Sequence, residues 1–193
     1  MENEIIKKAV VLLKQGKIIA YPTESMYGLG CDPFNREAVV KLVKLKKRHL
    51  RKGLILVSYS FDQFKNLVKK VPEETFSAVS KTWPGPITWI FPATVKAPKW
   101  ITGNRHTIAI RVSAHPIVQE LCRAFGKPLV STSANVEGKT PIVKKTDINH
   151  IFKTGIDMIV SGKIGARKTP SEIRDVETGK VIRPGVETKR DQC

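Results

Sequence analysis

The sequence predicts an α/β protein of the α+β type, in which helices flank a twisted mixed β-sheet within a single domain. Helical and strand patterns are interleaved along the chain, but they do not form strict strand–helix–strand repeats, which disfavours a purely parallel sheet. The 193 residues suit one domain with a substantial core, and no interior stretch resembles a linker. Residues 1–185 are therefore predicted to form one domain, and the polar residues 186–193 a flexible C-terminal tail.

Six segments have apolar residues at helical spacing. Gly16 can end the first, Pro72 separates the third from the fourth, and Pro116 and Gly126 bracket the fifth. The predicted helices are 3–15, 36–48, 61–71, 73–83, 115–126 and 146–155. Short apolar runs between them predict strands, and the last two strands are expected to form a hairpin around "ETGK". The predicted strands are 17–21, 53–58, 88–93, 107–112, 128–133, 157–162, 171–176 and 180–185.

The composition excludes several classes of protein. Hydrophobic residues make up 41% of the chain, as in globular proteins, and no apolar run approaches the roughly 20 residues of a membrane span. The N-terminus mixes lysines with apolar residues and predicts an amphipathic helix rather than a signal peptide, so we expect a cytoplasmic protein without membrane partners. The three cysteines include no Cys-x-x-Cys pair, which disfavours a disulfide framework and a structural zinc site.

The strongest signal in the composition is the charge. Lysine and arginine number 34 against 17 acidic residues, and the net charge of +17 favours a polyanionic partner, either nucleic acid or nucleotide phosphates. Residues 41–53 hold seven of these cations, and no acid occurs between Ala38 and Phe61. A bound polyanion would offset their mutual repulsion, although a helix C-terminus also favours cations. Lys46 and Arg48 could supply a point charge and a two-pronged donor to a phosphate.

Other polar residues lie at the ends of predicted strands. "STSAN" (131–135) follows a strand, where ligands of open α/β sheets usually bind, but taken alone it is better explained as a polar turn. Arg111 and Arg183 each end an apolar strand pattern, where an arginine either faces solvent or pairs with a buried anion. "WPGPITW" (83–89) predicts a rigid corner packed by Trp83.

"YPTESMYGLGCD" (21–32) is too specific for a plain connection, and its glycines alone would suggest a turn or a phosphate loop. The sequence has no GxxxxGK[ST], GxGxxG or HExxH motif, and no GxSxG with a matching histidine. A nucleotide-using enzyme with this sequence would therefore need an unusual site.

Five stretches occur in the order typical of the YrdC-like family, and the chain resembles that family from about Ile5 to Gly185. They are "AYPTESMYGLGCD", "LKKRHLRKGLILV", "WPGPITWIFPA", "IAIRVSAHPIVQELCRAFGKPLVSTSANVEGKTP" and the closing "IRPG". The resemblance implies a YrdC/RibB-like sandwich with a basic cleft. The chain departs from the family pattern at His49, where many relatives have proline, and at Ser25 and Met26, where threonine and valine are frequent.

The resemblance also implies an activity, the synthesis of L-threonylcarbamoyladenylate. L-Threonine, bicarbonate (or CO2) and ATP give threonylcarbamoyl-AMP and pyrophosphate. The product feeds N6-threonylcarbamoyladenosine formation at position 37 of tRNAs that read ANN codons, and a separate tRNA threonylcarbamoyl transferase complex performs the transfer. Mg2+ would enter with ATP, held mostly by phosphates and water, so no protein-held metal is expected.

The resemblance assigns roles residue by residue. Lys46, Arg48, Ser133 and Asn135 match the family's Lys-x-Arg and Ser-x-Asn set, which implies catalytic contacts with the ATP phosphates and the carbamate. Thr23 matches the threonine-binding position of the opening signature.

Further residues are implied to complete the site. Arg111 should meet the threonine carboxylate or the nucleotide, and Ser131 and Arg183 should line the nucleotide side. The two glycines of "YGLG" are expected to give backbone clearance beside the ligand, and Glu24 is expected to have a structural role.

Two alternatives remain open at the level of sequence. The charge alone would suit a non-catalytic RNA-binding or ribosome-maturation module, and a basic face could bind tRNA or double-stranded RNA beside a catalytic cleft. A pure RNA binder is expected to interleave aromatic residues with its cations, and residues 41–53 contain none. A dihydroxybutanone-phosphate synthase on this type of fold would need clustered carboxylates for Mg2+, and the sequence shows no such acid-rich motif.

Overall fold

The computed structural model describes residues 2–185 and confirms the predicted mixed α/β fold. The predicted tail, 186–193, lies outside the described residues. The helices are α1 (Glu2–Lys14), α2 (Arg36–Leu45), α3 (Glu73–Ser80), α4 (Lys99–Thr102), α5 (Pro116–Phe125) and α6 (Lys145–Ile151), with 3-10 turns at Leu50–Lys52 and Phe61–Phe64. The strands are β1 (Ile19–Pro22), β2 (Tyr27–Gly30), β3 (Ile55–Ser58), β4 (Ile87–Pro92), β5 (Thr107–Val112), β6 (Leu129–Ser133), β7 (Met158–Ile159), β8 (Glu172–Asp175) and β9 (Val181–Arg183).

The strands form one mixed sheet in the order β7-β1-β2-β6-β3-β5-β4-β8-β9. The pairs β7–β1, β3–β5 and β4–β8 are parallel, and the others are antiparallel. The predicted hairpin around "ETGK" is confirmed as the antiparallel pair β8–β9. Strands that are adjacent in space are often distant in sequence, so the sheet brings segments from the whole chain side by side.

The sheet separates two apolar cores. On one face α1 and α5 pack together, and their core includes Leu13, Tyr21, Val57, Leu121 and Leu129. The opposite face is covered by α2, α3, α4 and α6, and residues of β1, β3, β6 and β7 alternate between the two cores. The larger core includes Leu29, Leu42, Leu56, Ile101, Ile110, Val130 and Ile148.

Local signals explain where the helices begin and end. The Asn35 side chain accepts a hydrogen bond from Ala38 N (3.0 Å) at the start of α2. This helix ends earlier than the predicted 36–48, because Lys47 adopts a left-handed backbone with φ 51°. Pro116 occupies the first turn of α5, and Gly126 (φ 77°) ends it, as predicted.

Three further differences concern the presence or type of an element, and the strand predicted over 157–162 is shortened to Met158–Ile159. The helix predicted over 61–71 is reduced to a 3-10 turn, because Lys69 N donates to Pro92 O (2.8 Å) and draws this segment along the end of β4. Strand β2 was not predicted, since its two glycines disfavour a strand in isolation. The four-residue α4 is too short to show helical periodicity.

The corner predicted at residues 83–89 is confirmed. Trp83 Nε1 donates to Ile87 O (2.8 Å), and Gly85 N donates to Val112 O (2.9 Å). Trp83 also packs on the larger core. This stretch is therefore a structural support of β4 and β5 rather than a stacking surface.

Two predictions from composition can be compared with the described residues. Within residues 2–185, every helix is too short or too polar to cross a membrane. Cys31 and Cys122 are buried free thiols, and burial raises the pKa of Cys122 to about 12. These cysteines therefore serve as small core residues.

Candidate active site

A cavity of about 600 Å³ lies against one face of the sheet, over β2, β6, β3 and β5. Residues two apart on a strand face the same side. Ser131 and Ser133 therefore share the face on which Leu129 packs in the α1–α5 core. The cavity is the part of this face that α1 and α5 leave uncovered. Seven of the eight predicted site residues line it: Thr23, Arg48, Arg111, Ser131, Ser133, Asn135 and Arg183.

Lys46 is the eighth predicted residue, and it lies behind the cavity wall with only 2% of its surface exposed. Its ammonium group donates to Ser133 O, to Asn135 O (2.7 Å) and to Asn135 Oδ1 (3.1 Å). Ser133 Oγ donates to the same Oδ1 at 2.6 Å. Burial, helped by the charge of Arg48, lowers the pKa of Lys46 to about 8. Lys46 therefore ties the 133–135 turn to the end of α2.

Arg48 reaches the cavity because the chain turns at Lys47. Its guanidinium donates to Gly53 O (3.2 Å) and lies 3.5 Å from Glu137 Oε1. Lys52 Nζ lies 2.6 Å from the same oxygen. The hydrogen bond from Lys52, followed by the charges of Lys52 and Arg48, lowers the pKa of Glu137. Glu137 is thus the counter-ion of two cations at the edge of the cavity.

Arg111 has a buried partner within the protein, which resolves the choice that the sequence left open. Its Nη1 lies 2.8 Å from Glu24 Oε2, and both side chains are largely buried. Glu24 Oε1 accepts hydrogen bonds from Ser113 Oγ (2.7 Å) and Ala114 N (3.2 Å). Burial alone would raise the pKa of Glu24, but the Arg111 charge and these hydrogen bonds outweigh it and lower the pKa. Glu24 therefore fixes Arg111 in the cavity wall.

Thr23 lies in the turn between β1 and β2. Its backbone N and its hydroxyl both donate to Met26 O, at 2.9 and 2.8 Å. The hydroxyl proton is thus engaged, so the Thr23 hydroxyl can serve a ligand in the adjoining cavity only as an acceptor. A Cβ on Gly30 would lie 2.5 Å from Val130 O, whereas one on Gly28 would lie 3.1 Å from Thr23 Cγ2. The glycines therefore give clearance to the protein's own backbone and side chains, and only Gly28 lines the cavity.

Arg183 is the last residue of β9 and lines the same cavity as Arg48 and Arg111. Its Nη2 donates to Ser171 O (2.7 Å) and Ser171 Oγ (3.2 Å). Partial burial of the guanidinium, followed by the charges of Arg48 and Arg111, lowers the pKa of Arg183, although the residue as a whole is exposed. Three guanidinium groups from distant parts of the chain therefore line one cavity, and the charges of Arg48 and Arg111 act on Arg183.

Sequence reasoning missed several of the cations in the wall: Lys52, Arg105, Lys139 and Arg167. Lys52 belongs to the cationic run 41–53, and the sequence alone could not show which cations of this run reach the cavity. The other three lie in loops without a periodic pattern, so no local signal distinguishes them from solvated cations. Of the lining residues in the described part of the chain, seven are cationic and one, Glu24, is acidic.

The arrangement suits the binding of a polyanion and the stabilisation of charge during group transfer. Guanidinium groups, hydroxyls and a carboxamide surround the cavity, and Glu24 is already paired. Residues 2–185 contain no cluster of three or more His, Cys, Asp or Glu side chains that could hold a metal ion.

Comparison with protein families decides the family. The Sua5/YciO/YrdC model, described as telomere recombination, matches residues 11–185. The chain belongs to the Sua5/YciO/YrdC family. The predicted resemblance to YrdC-like proteins is thereby confirmed over almost the whole chain.

Within the Sua5/YciO/YrdC family, the chain is similar to curated bacterial proteins along nearly their full length. It is 48% identical over 181 residues to a threonylcarbamoyl-AMP synthase of Coxiella burnetii, covering 94% of this chain and 97% of that protein. It is 46% identical over 179 residues to a threonylcarbamoyl-AMP synthase of Pseudomonas fluorescens, covering 93% of this chain and 96% of that protein.

Solved structures of the Sua5/YciO/YrdC family have the same fold. Sua5 of P. abyssi complexed with L-threonine matches with a TM-score of 0.88 and 32% identity, over 96% of this chain and 55% of that chain. The present chain thus spans about half the length of that Sua5. E. coli YciO matches with a TM-score of 0.84 and 26% identity, over 97% and 92% of the two chains.

Proposed function

We propose that this protein is an L-threonylcarbamoyladenylate synthase, a nucleotidyltransferase that makes threonylcarbamoyl-AMP and pyrophosphate from L-threonine, bicarbonate (or CO2) and ATP. The observation that carries the proposal is the near-full-length identity with threonylcarbamoyl-AMP synthases. The cation-lined cavity supports it, because both ATP and the carbamate are anions. The threonine complex of the P. abyssi protein supports threonine as the amino acid.

The chemistry requires two steps in one cavity. The neutral amino group of threonine attacks the carbon of CO2 and loses a proton as the carbamate forms; when bicarbonate is the donor, its hydroxyl group leaves with that proton as water. A carbamate oxygen then attacks the α-phosphorus of ATP, the bond to the bridging oxygen breaks, and pyrophosphate leaves. Transfer at phosphorus needs neutralised charge and aligned reactants more than a protein nucleophile. A cavity rich in Arg, Lys, Ser and Asn meets that need.

The proposed catalytic set is Arg48, Ser133, Asn135 and Lys46. Arg48, Ser133 and Asn135 line the cavity and would contact the phosphates and the carbamate. The ammonium group of Lys46 supports the 133–135 turn, so it holds Ser133 and Asn135 in place for these contacts.

The remaining assignments divide the cavity into two sides. Thr23 and Arg111 would hold the substrate threonine. Arg111 would bind the carboxylate of the substrate, and Thr23 would accept a hydrogen bond from it. Ser131 and Arg183 would line the nucleotide side. Mg2+ would arrive with ATP and neutralise phosphate charge, held by phosphates and water. The carboxylate of Glu24 is engaged by Arg111, so no described residue is assigned to the metal.

We also propose where the product goes. In the cytoplasm, threonylcarbamoyl-AMP would pass to a separate tRNA threonylcarbamoyl transferase complex for modification of adenosine 37. The net charge of +17 supports contact with tRNA or double-stranded RNA through the basic face around residues 41–53. A purely RNA-binding module is not favoured, because it would not need hydroxyls and guanidiniums from distant segments to converge on one cavity. RNA affinity should fall steeply with salt, and a flat salt response would exclude such a phosphate-binding face.

A single assay tests the activity. Purified protein should release pyrophosphate only when ATP, threonine and bicarbonate are all present. Asn135→Ala should abolish turnover, because it removes a carboxamide from the cavity wall. Pyrophosphate release that ignores threonine would exclude the synthase activity, and full activity of Asn135→Ala would exclude the assigned catalytic set.

A further inference from the structure

The connection between β7 and β8, residues 160–171, has a long distance to cover. Strand β7 is at one edge of the sheet and β8 is next to the opposite edge strand, so this crossing segment must pass over the intervening strands. Its second half lines the cavity, through Arg167, Thr169, Pro170 and Ser171. The crossing segment therefore forms a wall of the candidate active site.

The backbone of the crossing segment is held in several places. Tyr27 Oη donates to Gly162 O (3.2 Å), Gly165 N donates to Thr23 O (2.9 Å), and Arg167 N donates to Glu24 O (3.1 Å). A Cβ on Gly165 would lie 2.6 Å from Glu24 O, so this approach depends on glycine. The position of Arg167 is thus set by the backbone that carries Thr23 and Glu24.

The side chain of Arg167, in contrast, is unsatisfied. Its Nε is buried without a hydrogen-bond partner among residues 2–185, as are the Nε atoms of Arg48 and Arg111, so the difference lies in the ion pairs. None of the ion pairs in the described part of the chain includes Arg167, whereas Arg48 and Arg111 are paired with Glu137 and Glu24. A guanidinium that is partly buried without an anion is costly, and an anion in the cavity would relieve that cost.

The direction of the Arg167 side chain indicates which anion it would bind. Although Arg167 N is bonded to Glu24 on the threonine side, its guanidinium reaches towards the end of β9. A Cβ on Gly185 would lie 3.3 Å from Arg167 Nη2, and Gly185 is two residues beyond Arg183. The cationic end of Arg167 is therefore on the proposed nucleotide side, where ATP brings several negative charges.

We propose that Arg167 is a nucleotide-phosphate-binding residue, presented to the cavity by the crossing segment. Its planar guanidinium can donate two parallel hydrogen bonds to phosphate oxygens. The inference rests on the proposed function, because it takes ATP as the substrate. It adds to that function a phosphate-binding residue from a loop without a recognisable motif.

The test is calorimetric titration of the full-length protein with ATP in the absence of threonine. Arg167→Ala should weaken ATP binding by about tenfold or more, as expected for loss of a charge-assisted hydrogen bond. Lys168→Ala is the matched control, since Lys168 is the next residue of the crossing segment, is exposed and does not line the cavity. It should bind ATP within about twofold of the wild type, the effect expected of one solvated charge. Arg167→Lys should recover part of the loss, and Arg167→Gln replaces Arg167→Ala if the latter does not fold.

The outcomes separate this inference from the proposed function. Equal ATP affinity of the Arg167 and Lys168 variants would overturn the inference even if the wild type is a synthase. A rise in the threonine KM with unchanged ATP affinity would also overturn it, because Arg167 would then bind the threonine carboxylate. If the wild type binds ATP but releases no threonine-dependent pyrophosphate, the synthase proposal fails while the comparison of ATP affinities still tests Arg167.

Discussion

The ammonium group of Lys46 lies 2.7 Å from the carbonyl oxygen of Asn135, 89 residues further along the chain. The same group donates to Ser133 O and to Asn135 Oδ1. The Lys-x-Arg and Ser-x-Asn stretches are thus one structural unit, in which a buried cation at the end of α2 organises the turn after β6. The contact explains why a lysine without access to the cavity belongs to the site.

Loss of Lys46 should affect both turnover and stability. Lys46→Met removes a donor from three oxygen atoms. Ser133 O still accepts from Asn135 N, and Asn135 Oδ1 still accepts from Ser133 Oγ, but Asn135 O loses its only donor among the described residues. A buried acceptor left unpaired costs about 1–3 kcal/mol. We expect pyrophosphate release to be lost and the free energy of unfolding in urea to fall by about 2 kcal/mol or more. Lys44→Met, at an exposed position of α2, should behave as the wild type. Near-normal turnover of Lys46→Met would show that the turn holds its shape without the cation.

The lowered pKa of Lys46 predicts a pH profile. The pKa is about 8 in the folded protein against 10.5 for the free side chain. A neutral amine has two protons for three acceptors, so kcat should fall as the pH rises through about 8. The effect on stability has the opposite sign. Between about 8 and 10.5 the unfolded state binds more protons, so this group makes a contribution to stability that rises with pH.

Both halves of this prediction can be measured. A pH–rate profile between pH 7 and 9 would show the fall in kcat, and urea unfolding across pH 8 to 10 would show the rise in the free energy of unfolding. Lys46→Met should lack the stability gain seen in the wild type. A kcat that stays flat across pH 8 would mean that the ammonium form is retained by its three acceptors.

Much of the fold could be predicted because its signals are local. Pro116 and Gly126 mark α5, and β5 has the predicted bounds of 107–112. Strand β2 has no such signal, because its glycines are stabilised by pairing with β1 and β6 rather than by their own propensity. The end of α2 was also missed, since the left-handed turn at Lys47 follows from tertiary contacts of its neighbours.

The site could be predicted in composition but not in geometry. The resemblance selected Lys46 and Asn135, yet only the structure shows that Lys46 lies behind the wall. Arg111 was left between solvent and a buried anion, because its partner Glu24 is distant in sequence. Arg167 could not be recognised at all, since the strand order that carries its loop across the cavity is a property of the whole sheet.

The Glu24–Arg111 pair predicts a change in threonine binding. Glu24→Gln would leave a guanidinium that is 8% exposed without its counter-ion. Breaking such a buried pair costs about 3 kcal/mol or more, which urea unfolding would reveal. The KM for threonine should rise while the KM for ATP changes little, because Arg111 loses its fixed orientation. Glu74→Gln, at an exposed position of α3, is the control and should change neither constant.

The same pair should appear in acid unfolding. The pKa of Glu24 is lowered from its ordinary 4.5, so its stabilisation is present above pH 4.5 and is lost as the pH falls through the lower folded value. The wild type should therefore lose more stability than Glu24→Gln between pH 5 and 3. Parallel acid-unfolding curves for the two proteins would contradict an ionised Glu24 beside Arg111.

The two glycines of β2 should respond unequally to alanine, although they are two residues apart on the same face. In Gly30→Ala the new Cβ would lie 2.5 Å from Val130 O and 2.8 Å from Tyr21 Cε1. A backbone oxygen can move only if the β2–β6 pairing moves with it, so we expect a loss of about 3 kcal/mol in the free energy of unfolding. In Gly28→Ala the nearest atom is the Thr23 methyl carbon at 3.1 Å, which can shift by itself. Gly28→Ala should therefore lower the free energy of unfolding by only about 1 kcal/mol. It should raise the KM for threonine, because Thr23 is displaced in the cavity. Equal losses of stability would mean that the sheet, rather than the Thr23 side chain, absorbs both substitutions.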